Sequence, residues 1–188
     1  MTLANAELDV GSGSLTASGT VGERLDISAN LNALPVALAN GFVDGLGARG
    51  AISGTAQASG PISDPNVTFD LQGSGITTGQ IARSGVAPIT FDTSGTYAGG
   101  TVQIETARAD VGDGSLSVTG SVGQRLDVSA TVDRLPVGLA NGFVDGLGAQ
   151  GTLSGTAEAS GSISDPNATF DISASNVSVA QSRAAGAP

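Results

Sequence analysis

Apolar and polar residues alternate one by one over most of the chain. Leu15, Ala17, Gly19 and Val21 interleave with Thr16, Ser18 and Thr20, and Leu25, Ile27, Ala29 and Leu31 interleave with Asp26, Ser28 and Asn30. The same period of two returns in Ile52/Gly54/Ala56/Ala58, Val67/Phe69/Leu71, Ile89/Phe91 and Val102/Ile104. Successive side chains of a strand point to opposite faces, so this period predicts strands with one apolar and one polar face. Gly11-Ser12-Gly13 and Asp113-Gly114 carry hairpin-turn chemistry. Pro65 and Pro166 fall just before a strand, where a missing N–H costs little. The pattern predicts about eight short strands per repeat unit and about fourteen in all, a sheet roughly 65 Å long at ~4.8 Å per strand. One segment departs from it. Leu34, Leu38 and Phe42 fall at helical spacing, Pro35 suits a first helical position and Gly41 reads as a stop, which predicts one short helix per unit.

The unit itself is a duplication with an offset of 101 residues. VGSGSLTASGTVGERLDIS at 10–28 returns as VGDGSLSVTGSVGQRLDVS at 111–129, and LPVALANGFVDGLGA at 34–48 returns as LPVGLANGFVDGLGA at 135–149. Roughly 70 % of positions 9–71 match their partner, the mark of a modular array whose units bury their edges against one another. The division predicted is a first unit over 1–101 and a second, shorter one over 102–188. Differences between the copies keep polarity: Ile27 becomes Val128, Leu71 becomes Ile172 and Thr16 becomes Ser117. What is preserved is which way side chains face.

Composition then narrows the function. The 188 residues hold 17 Asp+Glu against 7 Lys+Arg, a net charge of −10, and all the cations are arginine. Lysine, histidine, cysteine and tryptophan are absent. That inventory lacks a Schiff-base lysine, a thiolate, an imidazole base, a His/Cys metal cluster and a basic nucleic-acid footprint. The expectation is a protein that is not an enzyme, needs no cofactor or metal and binds no nucleic acid. Charged residues make up 13 %, against roughly 25 % in ordinary soluble domains. Five Phe and one Tyr are few large side chains for a sandwich core. An apolar sheet face must be covered by a second protein layer or curl into a trough whose contents are not protein, and composition leaves both open.

Individual motifs add little chemistry. GLGARG (45–50) and GLGAQG (146–151) have dinucleotide-type spacing, but a helical segment precedes them and a strand follows, the reverse of what phosphate binding needs, so they read as glycine-rich turns. Asp110, Asp113 and Gly114 hint at a calcium loop; Ser12 replaces Asp113 in the other copy, and a polar hairpin turn is the better reading. Asn66, Asn167 and Asn176 open glycosylation-type triplets, the first two at strand starts, where chance explains them. Asp64 and Asp70 flank one strand without a clustered third acid and read as turn and solvent-face carboxylates. No leader with a basic start and an apolar run opens the sequence, and no stretch approaches the roughly 18 apolar residues of a membrane span.

The repeated phrase LPVALANGFVDGLGARGAISGTAQASGPISDPNVTFDLQGSGI and its second copy resemble the TamB family, the inner-membrane-anchored subunit of the translocation and assembly module of Gram-negative bacteria. The phrase covers most of 9–84 and 110–183, and AsmA-like proteins share parts of it. The resemblance implies an all-β fold, a long, curved, taco-shaped sheet with an apolar interior. It implies a periplasmic part of a protein anchored in the inner membrane, with the anchor outside this chain. It also implies partnership with the outer-membrane barrel subunit TamA through other regions, and a role in outer-membrane protein assembly, including autotransporters, or in phospholipid passage. On that reading phospholipid acyl chains are lined in the first copy by Leu15, Val21, Leu25, Ile27, Leu31, Ile52, Val67, Phe69, Leu71, Ile89 and Phe91. In the second they are lined by Leu116, Val118, Val122, Leu126, Val128, Val132, Leu153, Phe170 and Ile172. The alternative is a β-solenoid stalk of a surface adhesin or autotransporter passenger. Small residues and low charge suit it, but a unit of 101 residues is far longer than a solenoid coil of about 20–30.

Overall fold

A computed structural model describes residues 2–43 and 45–180. They form one open antiparallel sheet of eleven strands in which every strand pairs with its neighbours in sequence. In chain order the strands are β1 (Thr2–Val10), β2 (Gly13–Val21), β3 (Arg24–Pro35), β4 (Arg49–Pro61), β5 (Asn66–Thr77) and β6 (Ile89–Ala98). They continue as β7 (Thr101–Val111), β8 (Gly114–Val122), β9 (Arg125–Pro136), β10 (Gln150–Ser162) and β11 (Asp165–Ser178). The all-β expectation holds. At ~4.8 Å per strand the sheet runs about 48 Å from β1 to β11, shorter than the sequence pattern suggested, because the strands are fewer and longer.

The difference lies in the glycines. The runs Val67/Phe69/Leu71 and Ile89/Phe91 stop short of Gly73 and Gly95 in the sequence, yet the strands run through both, as they do through Gly19, Gly54, Gly120 and Gly155. Each faces a large neighbour across the ladder: Gly19 pairs with Ile27, Gly54 with Leu71, Gly73 with Phe91 and Gly95 with Phe69. The Phe91 ring lies over Gly73, occupying the volume a side chain there would need. An aromatic ring covering a strand glycine offsets the poor intrinsic strand propensity of that residue.

The hairpin turns fall near the predicted places, but in the second copy the loop is Gly112-Asp113 and Gly114 already belongs to β8. Val10 pairs with Gly13 and Val111 with Gly114, leaving two-residue loops whose first residues, Gly11 and Gly112, sit at φ +62° and +60°. That is the glycine placement of a type II′ turn. Gly99 and Gly100, at φ +56° and +73°, join β6 to β7 with two left-handed residues, as a type I′ turn requires.

The predicted helix exists in both copies, but as 3-10 helices, Val36–Gly41 and Val137–Gly142, with Pro35 and Pro136 as extended N-caps and not first helical residues. A second helical segment, α1 (Gly79–Ser84), departs from the expectation of one helix per unit. It is set by its caps. Thr78 accepts a hydrogen bond from the Ile81 N–H, and Gly85 closes it at φ +75°. At six residues it is too short to show a periodicity.

Candidate apolar binding face

Direct partners in an antiparallel ladder share a face, so the register assigns sides without ambiguity. One row crosses all eleven strands: Leu8, Leu15, Leu31, Gly54, Leu71, Thr93, Ala107, Val118, Ala130, Ala157 and Phe170. A second runs Ala56, Phe69, Gly95, Ile104, Gly120, Val128 and Ala159. A third runs Ile27, Ala58, Val67, Tyr97, Val102, Val122 and Leu126. A fourth runs Ile52, Gly73, Phe91, Ala109, Leu116, Val132, Gly155 and Ile172. Val21 pairs with Leu25, Ile89 with Val111 and Leu153 with Leu135 on the same side. All twenty residues proposed from the sequence therefore lie on one face, and none of the paired positions on it carries a charge.

Sequence reasoning missed several members of this face. Tyr97 follows Phe91 at the same period of two, and Val102 and Ile104, whose own alternation is plain in the sequence, join its rows across the Gly99-Gly100 turn. Leu34 and Leu135 were hidden by a phase slip. Ala33 and Arg134, at φ +47° and +45°, form bulges that return the next leucine to the apolar side opposite Ile52 and Leu153. Each bulge is held by a hydroxyl: the Ala33 N–H donates to Ser53 Oγ and the Arg134 N–H to Ser154 Oγ, both at 2.9 Å.

Among the described residues no second sheet roofs this face, and of the side chains on it only that of Val111, at one end, is buried. Among the described residues only Ala48, Val111 and Ala149 are buried hydrophobics, and no large side chain is fully buried. Along β3 the apolar positions are half-buried and the polar ones exposed. None of the apolar positions of this strand is buried, as they would be beneath a second layer. The surface area measures the same thing. The chain exposes 11255 Å², against about 8100 Å² for a compact globular protein of its 18.2 kDa. At the last strand the face is most open, with Phe170 78 % exposed.

The opposite face carries the charge. Asp26, Asp70, Asp92, Asp127, Glu158 and Asp171 alternate with the apolar rows, opposite Ser, Thr, Gln or Arg partners. Arg108 donates to both carboxylate oxygens of Asp110, at 2.7 and 3.2 Å, and this partner raises its pKa above the ordinary arginine value. The candidate calcium carboxylate at Asp110 is thus engaged with a guanidinium. A depression of about 210 Å³ lies on this side, lined by neutral groups such as Thr16, Ser28, Asn30 and Gln57. It offers hydrogen bonds but no charge. Among the described residues no group of His, Cys, Asp or Glu is placed to hold a metal ion, and no helix is long and apolar enough to cross a membrane.

The glycine-rich motifs are loops entering β4 and β10. Gly45 and Gly47 adopt φ +73° and +58°, and Asn40 clamps the loop: its Nδ2 donates to the Ala48 carbonyl at 3.0 Å while its Oδ1 accepts from the Ala48 N–H at 2.7 Å. Asn141 holds Ala149 with the same two distances. No family model, curated protein or solved structure matches the chain. The TamB resemblance accordingly rests on the repeated sequence phrase.

Proposed function

We propose that the chain is a segment of a TamB-like β-groove spanning the periplasm, whose apolar face shelters phospholipid tails or assists outer-membrane proteins on their way to assembly. The observation that carries this reading is the uncharged apolar face running over eleven strands with no second sheet against it among the described residues. A water-exposed wall of this size is unfavourable at ~25 cal/mol per Å², so an apolar occupant is the physical counterpart it lacks. Acyl chains fit it well. Each CH₂ moved from water to such a wall gains about 0.8 kcal/mol, and a bilayer returns much the same, so exchange between membrane and groove is close to isoenergetic. Small aliphatic walls without charge leave few points where a tail or an apolar strand would stick.

The taco form belongs to this proposal. Gly19, Gly54, Gly120 and Gly155 sit in mid-strand at φ +136°, +146°, +127° and +152°, on equivalent strands of the two copies. Glycines in such positions let a sheet bend sharply, which is what turning a flat wall into a trough requires. Anchoring in the inner membrane and contact with TamA would lie in other regions of such a protein. The acidic polar face favours solubility. A solenoid stalk has less in its favour, because parallel β-helices stack through parallel ladders and every ladder here is antiparallel.

The test is capture of a phospholipid carrying a photoreactive group in its acyl chain. The folded protein should crosslink, and Ile27→Asp combined with Val128→Asp should abolish the adduct while leaving the β circular-dichroism spectrum in place. An undiminished adduct in that variant, or none in the parent protein, overturns the reading.

A further inference from the structure

The two 3-10 helices are built alike, yet among the described residues only Val137–Gly142 packs closely against another helix. Pro35 and Pro136 cap them at ψ 124° and 122°, Phe42 and Phe143 close them at φ −111° and −109°, and the Asn40 and Asn141 clamps match. Against Val137–Gly142 lies α1 of the preceding copy. Gly142 is buried, and a Cβ there would fall on the Gln80 carbonyl oxygen, with the Ser84 Cβ 3.4 Å away. A Cβ at Gly138 would stand 3.5 Å from Val86 Cγ1. From α1 the chain passes into β6, which pairs with β7.

Among the described residues no helix packs closely on the corresponding surface of the first copy. Gly41, the counterpart of Gly142, has nothing within 4 Å of where a Cβ would sit. Ala37 stands where the second copy has Gly138 and is exposed, and Leu38 is 43 % exposed whereas Leu139 is half-buried. Beside it, β1 has a free edge, and β1 occupies the place in its copy that β7 occupies in the next. A pre-shaped helix seat next to a free strand edge is a recognition surface for a helix followed by a strand.

We propose that the Val36–Gly41 helix and the open edge of β1 form a docking surface for the α1–β6 segment of another repeat of this kind. The occupant is a short Thr-capped helix of the 78–85 type followed by an alternating strand of the 89–98 type. Its helix seats against Gly41 as α1 seats against Gly142, and its strand extends the sheet beyond β1. The geometry comes from the interface already present between the two copies and holds whether or not the apolar face carries lipid.

The chain has no cysteine, so an engineered disulfide reports the contact unambiguously. The probe is a synthetic peptide of residues 78–98 carrying Val86→Cys, and the target is the whole chain carrying Ala37→Cys. Mild oxidation should join the two, with the intramolecular pair Val86→Cys and Gly138→Cys in the otherwise unaltered chain setting the reference yield. Adding Gly41→Val to the target should lower the intermolecular yield at least about tenfold through direct steric exclusion of the helix. Gly41 is exposed and its Cβ site is empty, so that substitution leaves the fold intact. Three outcomes overturn the proposal: no intermolecular disulfide, a yield indifferent to Gly41→Val, or failure of the intramolecular pair to close, which would remove the template on which it stands.

Discussion

At Gly54 the absence of a side chain matters more than any side chain on the face. Its φ of +146° suits glycine alone, and a Cβ would fall on the Asp70 carbonyl oxygen of the neighbouring strand. Backbone cannot swing aside as a side-chain tip can. Gly54→Val should therefore cost more than about 2 kcal/mol, by adding left-handed strain to a backbone clash. Thr55→Val, one residue on and exposed, should stay within about 0.5 kcal/mol. Urea titration of both variants checks this. Equal midpoints would show that the strand tolerates a side chain at Gly54. Ala33 and Arg134 make the complementary point. A left-handed non-glycine residue is accepted in each bulge because the Ser53 or Ser154 hydroxyl takes up the N–H that the ladder leaves unpaired.

Among the elements, the loops entering β4 and β10 depend on one side chain each. The Asn141 amide gives Ala149 both of the hydrogen bonds that a strand partner would supply, and Ala149 is buried. Asn141→Ala leaves a buried N–H and C=O without partners, so a loss of about 1–3 kcal/mol is expected. Hydrogen exchange should accelerate at Ala149 while strands β2–β5, remote from the change, keep their protection. Unchanged exchange at Ala149 would mean the loop is held by other contacts. The same scale shows what the sequence could reveal. Strand faces were legible because a period of two is a property of the strand itself, and it placed all twenty proposed residues on one side. Strand number was not, because a glycine that ends a strand and a glycine under the Phe91 ring look alike until the partner strand is known. Leu34 and Leu135 were lost to bulges, whose phase slip depends on serines twenty positions away. Helix α1 could have been read from Thr78 and Gly85, the two residues that cap it, but not from any periodicity.

For the whole molecule, the open question is what an uncovered apolar face does to stability. A protein with its core sealed between layers gains nothing specific from an added apolar ligand. Here the folded sheet aligns side chains that the unfolded chain scatters, so a tail that binds the aligned face binds the native state alone and stabilises it by mass action. Free lysophospholipid at about a hundred times its dissociation constant adds about 2.7 kcal/mol. For a chain of this length that corresponds to a rise in melting temperature of roughly 5–10 °C. Ile27→Asp with Val128→Asp places two carboxylates in adjacent rows of the face, where an acyl chain would have to desolvate them. The melting temperature of that variant should respond to lysophospholipid by less than about a third of the parent's rise, whatever its starting stability. The polar face supplies the control: Asp70→Asn and Asp127→Asn alter charge on the exposed side and should leave the rise unaffected. Differential scanning calorimetry below the micelle concentration measures all three. An equal rise in parent and double-aspartate variant would place the ligand elsewhere, and no rise in the parent would mean the face is stable bare, as a scaffold's would be.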